Sequence, residues 1–249
     1  MIEMYLVGGA VRDLQLGVKP KDYDFTVVAD SYDDMKDFLM RRKSAEIFLE
    51  KPEFGTVRAA VSGFVLQGYD PSFGSMVVKK QRVAADFVLA RKDGTYSDGR
   101  RPDEVEVGSL YDDLARRDFT VNAMALSAAG VLIDPFRGQR DLQDMELRTV
   151  GKRGADRLIE DALRAIRALR FVVTKGFTLH PDLRAALTHA QVLYNLEYLI
   201  SKERVREELY KMFRHDTLLT IKTLEQFPLI RAIVLGPNTP VWLKPTTEE

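Results

Sequence analysis

The chain has 249 residues, 45% hydrophobic and 30% charged, with 37 basic side chains balancing 37 acidic ones. That composition supports a sizeable core in one or two domains and excludes intrinsic disorder and low complexity. The absence of cysteine excludes disulfides, thiolate catalysis and iron–sulfur clusters, and points to a reducing, cytoplasmic setting.

In chain order, Tyr5–Val7 reads as a short strand ending in Gly8-Gly9, followed by a helix over Ala10–Leu16 stopped at Gly17. Tyr23–Val28 is strand-like and Asp33–Arg42 helical. Thr56–Val61, Ser75–Val78 and Val83–Ala90 read as three further strands. The polar, glycine-containing stretch 92–103 is a loop, Asp112–Ala115 starts a helix, and Phe119–Leu126 fits helix or strand. Val131–Asp134 is a strand and Pro135–Gly138 a turn. Beyond position 155, Leu158, Ala162, Leu163, Ile166, Leu169 and Phe171 recur near helical spacing, and Pro181–Ala190, Lys202–Arg214 and Leu218–Glu225 also fit helices. The last 14 residues hold three prolines and no period, which predicts a loosely held tail. The expected fold is α+β: a strand-rich part, residues 1–142, followed by an all-helical part, residues 143–249.

No apolar run approaches the roughly 18–20 residues of a membrane span. The opening MIEMYLVGGAVRD lacks the basic segment of a signal peptide and reads as a mature strand. Residues 1–150 carry 21 basic and 25 acidic side chains and residues 151–249 carry 16 and 12, an acidic half beside a mildly basic one.

Asp22 and Asp24 stand two apart at the entry of a predicted strand, where alternation aims both carboxylates the same way. Such a pair needs a cation or a proton, and oxygen-only ligands suit Mg²⁺ held together with substrate phosphates; a solvated strand edge is the plain alternative. Asp86 lies inside the apolar run Val83–Leu89, where a carboxylate must be paired, with Arg91 as one candidate, or bind a metal. Three carboxylates on neighbouring strands would make a two-metal site for in-line phosphoryl transfer. Gly8-Gly9 at the opening of a helix would let a phosphate approach the backbone, although for a lone glycine pair a tight strand-to-helix turn is the better explanation.

Leu6-Val7-Gly8-Gly9-Ala10-Val11-Arg12-Asp13 followed by Asp22-Tyr23-Asp24 resembles the signature of the class II tRNA nucleotidyltransferase (CCA-adding enzyme) and bacterial poly(A) polymerase family. Further segments agree in order. Tyr96–Pro102 resembles its flexible loop, Asp113–Ala123 its RRDFTxNA motif, and Asp134–Leu142 its hinge-like motif, with Arg137 where a second glycine is usual. Glu160–Arg164 matches EDxxR and Ile200–Leu209 its last head-and-neck motif. The resemblance implies a polymerase-beta-like nucleotidyltransferase head with a mixed sheet and an all-helical neck. It implies an enzyme that adds CMP and AMP from CTP and ATP to tRNA 3′ ends without a template, using Mg²⁺ and releasing pyrophosphate. It assigns Asp22 and Asp24 as metal ligands and Asp86 as the third catalytic carboxylate. Gly8, Gly9 and Arg12 fall in the nucleotide-binding turn; Arg116, Arg117, Asp118 and Asn122 are read as triphosphate and ribose contacts.

The base-reading role falls to Asp161 and Arg164, three apart on a predicted helix and sharing a face. C and A both present an amino donor beside a ring-nitrogen acceptor, which a carboxylate and a guanidinium complement; U and G present the reverse order. An ordinary helix salt bridge is the plain alternative. Glu160, Arg167, Arg204 and Arg206 are expected to brace this pair. Family members usually continue past the last motif with helical domains that grip the tRNA, whereas 43 residues follow Arg206 here. The resemblance therefore implies a short form in which head and neck alone, an oligomer or a partner holds the tRNA, or else the substrate is a different RNA. A partial, A-adding enzyme, a poly(A) polymerase and a non-catalytic RNA-binding module are the rival functions. The 92–102 loop is compatible with A addition; Phe54-Gly55-Thr56-Val57, in place of a basic stretch, favours the tRNA enzymes over the polymerase; intact Asp22 and Asp24 oppose the non-catalytic module.

Overall fold

The computed structural model describes residues 2–41, 45–70, 75–94, 105–151 and 153–236, with the backbone alone for 63–70 and 75–81. The tail from 237 and the motif at 96–102 lie outside the described residues. The chain opens with β1 (Glu3–Val7), α1 (Gly9–Gln15), β2 (Tyr23–Val28) and α2 (Tyr32–Met40). There follow β3 (Ala45–Lys51), β4 (Thr56–Asp70), β5 (Ser75–Leu89), β6 (Arg91–Asp93) and β7 (Val105–Val107). Next come α3 (Leu110–Ala115), β8 (Ala125–Ser127), β9 (Leu132–Ile133), α4 (Gly138–Gln143) and β10 (Glu146–Leu147). The remainder is helical apart from β11 (Thr178–Leu179): α5 (Gly154–Glu160), α6 (Leu163–Lys175), α7 (Pro181–Ala186), α8 (Ala190–Tyr198), α9 (Lys202–His215), α10 (Thr217–Glu225) and α11 (Pro228–Leu235).

Seven strands form one sheet in the order β3-β4-β5-β2-β1-β8-β9. It is mixed: β1 pairs antiparallel with β2, and β2 pairs parallel with β5, which sets Asp24 beside Asp86. The expected strands Ser75–Val78 and Val83–Ala90 are one strand, because the antiparallel ladder with β4 runs from Thr56↔Val88 to Asp70↔Ser75 and carries the chain through its polar middle. Edge strand β3 had no sequence signal; most of its side chains are exposed, so no clean alternation marks it. Phe119–Leu126 is neither of the expected alternatives throughout: a 3₁₀ turn at Thr120–Asn122 precedes β8. The helix expected over Pro181–Ala190 divides into α7 and the start of α8.

Local chemistry fixes the element ends. Ser31 caps α2 by accepting from the Asp34 amide at 3.1 Å, and Ser109 with Asp112 forms a reciprocal capping box on α3. Gly176 ends α6 in the left-handed region, where a side chain would be strained. One face of α6 buries Leu163, Ile166, Leu169 and Val173. A continuous apolar core runs from Leu6 on β1 to Ile230 on α11, so sheet and helices share one interior. No helix among the described residues is long and apolar enough to cross a membrane.

Candidate active site

A cavity of about 470 Å³ opens where the β1–α1 turn, the segment after α3, and helices α6 and α9 converge. Gly8, Gly9, Arg12, Asp24, Arg116, Arg117, Asp118, Asn122, Asp161, Arg164, Arg167 and Arg204 all line it, joined by Leu163, Arg170 and Phe171, to which the sequence assigned no role in the site. Asp22, Asp86, Glu160 and Arg206 lie off its wall.

The turn that opens the cavity depends on glycine. Gly8 has φ +70°, and a Cβ there would stand 2.8 Å from Nη1 of Arg117. Bare backbone at this position lets the guanidinium lie against the turn. Arg12, buried on α1, donates to Oδ1 of Asn122 at 2.6 Å and to Asp13 at 2.8 Å, and its guanidinium sits 5.1 Å from the Phe171 ring centre.

Two buried carboxylates organise the arginines. Asp113, fully buried on α3, accepts from Arg116 at 2.7 Å, from Arg117 at 2.8 Å and from the Thr26 hydroxyl at 2.8 Å. Burial pushes its carboxyl up, but Arg117 and Arg116 outweigh burial and hold it at about 2. Asp118 accepts from the Phe119 amide at 2.8 Å, from Asn122 at 2.9 Å and from Arg167 at 3.0 and 2.5 Å. Here too burial opposes ionisation, and Arg167 with the Asn122 hydrogen bond drives the carboxyl well below the ordinary range. Asp113 carries no role in the sequence reading, yet its spacing of three and four residues from Arg116 and Arg117 is a readable sign of an anchoring acid.

Asp161 and Arg164 do not share one continuous helix. Asp161 is the extended residue that ends α5, and α6 begins two residues later. The two side chains stand on the same wall without pairing to each other. Asp161 is held by Arg204 at 2.8 Å and accepts from the Leu163 amide at 3.1 Å. Arg164 donates to Glu160 at 2.9 Å and to the carbonyls of Arg157 at 2.8 Å and Arg116 at 3.3 Å. Glu160, Arg167 and Arg204 thus each contact a cavity residue. Arg206 is exposed on α9 and makes no ion pair among the described residues.

The sheet carboxylates are differently placed. Asp86 pairs with Arg58, its cross-strand neighbour on β4, at 2.8 and 3.0 Å, rather than with Arg91, which pairs with Asp93. Asp22 is exposed, one residue ahead of β2. Asp24 is raised, first by burial and then by the charges of Asp86 and Asp22, against the opposing pull of Arg117 and Arg58. Among the described residues no three His, Cys, Asp or Glu side chains gather in metal-holding geometry. The expected triad is therefore not a closed cluster, because Arg58 engages its third member.

Residues 4–67 and 64–148 match the Poly A polymerase head domain. A CCA-adding enzyme of Geobacillus thermodenitrificans is 39% identical over 212 residues, covering 84% of this chain and 45% of that protein. The chain belongs to this nucleotidyltransferase family. The CCA-adding enzyme of Bacillus subtilis is 32% identical over 234 residues, covering 91% of this chain and 52% of that protein. The chain is also similar to the crystal structure of the Bacillus stearothermophilus CCA-adding enzyme in complex with CTP. There the TM-score is 0.69 at 31% identity, over 95% of this chain and 49% of that one. A tRNA nucleotidyltransferase complexed with a primer tRNA and an incoming ATP analog gives a TM-score of 0.68 at 30% identity, over 94% and 59%. The chain spans about half the length of the curated relatives it matches. The seven-stranded mixed sheet and the helices after it are the family's head and neck.

Proposed function

We propose that this chain is a template-independent RNA nucleotidyltransferase that transfers CMP and AMP from CTP and ATP to tRNA 3′ ends. The 3′-hydroxyl oxygen of the RNA bonds to the α-phosphorus and loses its proton, the bond from the α-phosphorus to the α,β-bridging oxygen breaks, and pyrophosphate leaves. In this scheme residues 1–142 are the catalytic head and residues 143–249 the neck that reads the base.

The observation that carries the proposal is the placing of Asp161 and Arg164 side by side on one cavity wall, each held by its own partner. A carboxylate aimed at the amino group and a guanidinium aimed at the ring nitrogen accept C and A and repel U and G. Because Glu160 and two backbone carbonyls fix Arg164, and Arg204 fixes Asp161, the pair is set before the nucleotide arrives, which is what a selective site requires. Arg116 and Arg117, anchored by Asp113, supply charge to the triphosphate. Asn122, tied to Asp118 and Arg12, faces the ribose.

The raised carboxyl of Asp24, crowded by Asp86 and Asp22, fits a divalent cation. Asp22 and Asp24 are the residues that would hold Mg²⁺, with Asp86 beside them. When bound, the ion would neutralise charge on the triphosphate and acidify the attacking hydroxyl.

The test uses three tRNA transcripts, ending before CCA, after the first C and after CC, each given Mg²⁺ with CTP, ATP or both. Extension of all three to a CCA end, and no further, is the expected result. Extension of the CC-ended transcript alone would make the chain an A-adding enzyme, long A tails would make it a poly(A) polymerase, and no extension would contradict the proposal.

A further inference from the structure

Helix α6 carries a row of contacts to the head at steps of three and four residues. Arg164 donates to the carbonyl of Arg116 at 3.3 Å, and Arg167 donates to Asp118 at 3.0 Å. The Phe171 ring lies under the Arg12 guanidinium, and Lys175 donates to Oδ1 of Asp13 at 3.3 Å. Such steps keep side chains on one helix face, so the four contacts make a single seam. Arg164, Arg167 and Phe171 line the nucleotide cavity; Lys175 and its partner Asp13 do not. Nothing in the nucleotide-binding scheme uses this last pair.

Lys175 is 32% exposed in the last turn of α6, so a plain surface ion pair would contribute little. The other contacts of Asp13 give the pair a further consequence. The same Oδ1 accepts from Nε of Arg12 at 3.0 Å and from Nη2 of Arg12 at 2.8 Å. Arg12 is buried and lies against the glycine turn, where a Cβ at Gly9 would stand 3.4 Å from its Nη2. Its Nη1 donates to Asn122 at 2.6 Å, and Asn122 donates to Asp118 at 2.9 Å. A guanidinium is a rigid planar fork, so fixing Nε and Nη2 on Asp13 aims Nη1 at Asn122. The contacts therefore run from Lys175 through Asp13 and Arg12 to Asn122, from the partly exposed end of a neck helix to the cavity wall. Because one carboxylate oxygen serves both cations, its place answers to α6 as well as to α1.

We propose that Lys175 and Asp13 are positioning residues for nucleotide binding: from outside the cavity they latch α6 to α1 and hold Arg12 and Asn122 where the ribose is received. This rests on the nucleotidyl-transfer reading above. Asp161 and Arg164 have their own partners, Arg204 and Glu160. Loss of the latch therefore weakens CTP and ATP alike and leaves the choice of base intact.

The experiment measures kcat and KM for CTP and ATP on tRNA transcripts with the full chain. Lys175→Met, which keeps the apolar stem and removes the charge, should raise both nucleotide KM values about three- to fivefold, the upper range for one partly exposed ion pair. Its kcat, its RNA KM and its preference for CTP and ATP over UTP and GTP should match wild type. Lys175→Arg should restore the nucleotide KM. Asp13→Asn should raise that KM about tenfold, because Arg12 loses a charged acceptor. Adding Lys175→Met to Asp13→Asn should then change it no further, which shows that the lysine acts through Asp13. An unchanged nucleotide KM in Lys175→Met, a fall in kcat alone, or a relaxed choice of base would overturn the latch while leaving nucleotidyl transfer intact. A wild-type chain that extends no transcript would overturn both.

Discussion

Asp24 and Asp118 line the same cavity, yet their surroundings push their carboxyls in opposite directions. Asp24, on β2 of the head, is raised by burial and by two neighbouring acids. Asp118, at the junction with the neck, is lowered because Arg167 and Asn122 overcome a heavier burial. The first is only partly offset by Arg117 and Arg58, a strain that a bound cation would relieve. The second is compensated and serves to fix arginines. On the proposed reading, one residue type performs chemistry on one side of the cavity and holds the scaffold on the other, and the pairing partner decides which.

Isosteric neutralisation separates the two roles. Asp24→Asn should lower nucleotide addition by about a thousandfold or more while raising the melting temperature, since it removes repulsion; a gel assay and a thermal melt on one preparation check both. Asp118→Asn should instead lower stability by about 1–3 kcal/mol, the cost of leaving half-buried Arg167 without its charged partner, read as a shifted urea midpoint. A fall in stability for Asp24→Asn would erase the contrast.

Asp113 makes the contrast pH-dependent. Its folded carboxyl sits at about 2, below the ordinary 3.8. It therefore contributes stability above about pH 4, lost as pH falls through 2, on the order of 2 kcal/mol. Urea midpoints between pH 5 and 2 should fall more steeply for wild type than for Asp113→Asn.

Arg164→Ala sharpens the comparison at the base-reading end. Glu160 keeps Arg157 at 2.7 Å, so no charge is orphaned. The expected loss is selectivity, about 1–3 kcal/mol of discrimination against UTP and GTP, measured as kcat/KM ratios for the four nucleotides. The smallest effect belongs to Arg137, which has φ +61° where the family usually carries glycine. Arg137→Gly should stabilise the fold by about 0.5–1 kcal/mol without changing activity, seen as a higher urea midpoint.

The parts of this site legible in the sequence are those set by short-range geometry. The Gly8-Gly9 turn, the Asp22/Asp24 spacing and the Arg116–Asn122 segment are local patterns, and the structure brings Gly8, Gly9, Asp24, Arg116, Arg117, Asp118 and Asn122, but not Asp22, to the wall of one cavity. What stayed hidden depends on long-range register. Arg58 reaches Asp86 because β4 and β5 pair across 28 residues, and Arg204 reaches Asp161 across 43. The break between α5 and α6 was masked by apolar spacing that continues through it, from Leu158 to Ile166. The register slip on β3 between Ile47 and Leu49 depends on how two strands meet, which no periodicity in one of them records.

The most direct measurement is equilibrium binding of CTP, ATP, UTP and GTP to the wild-type chain with Mg²⁺, without RNA. The account predicts that CTP and ATP bind at least about tenfold more tightly than UTP and GTP, the discrimination expected of one paired carboxylate and guanidinium. Equal binding of all four nucleotides, or of none, would contradict the assignment of Asp161 and Arg164 as the base-reading pair.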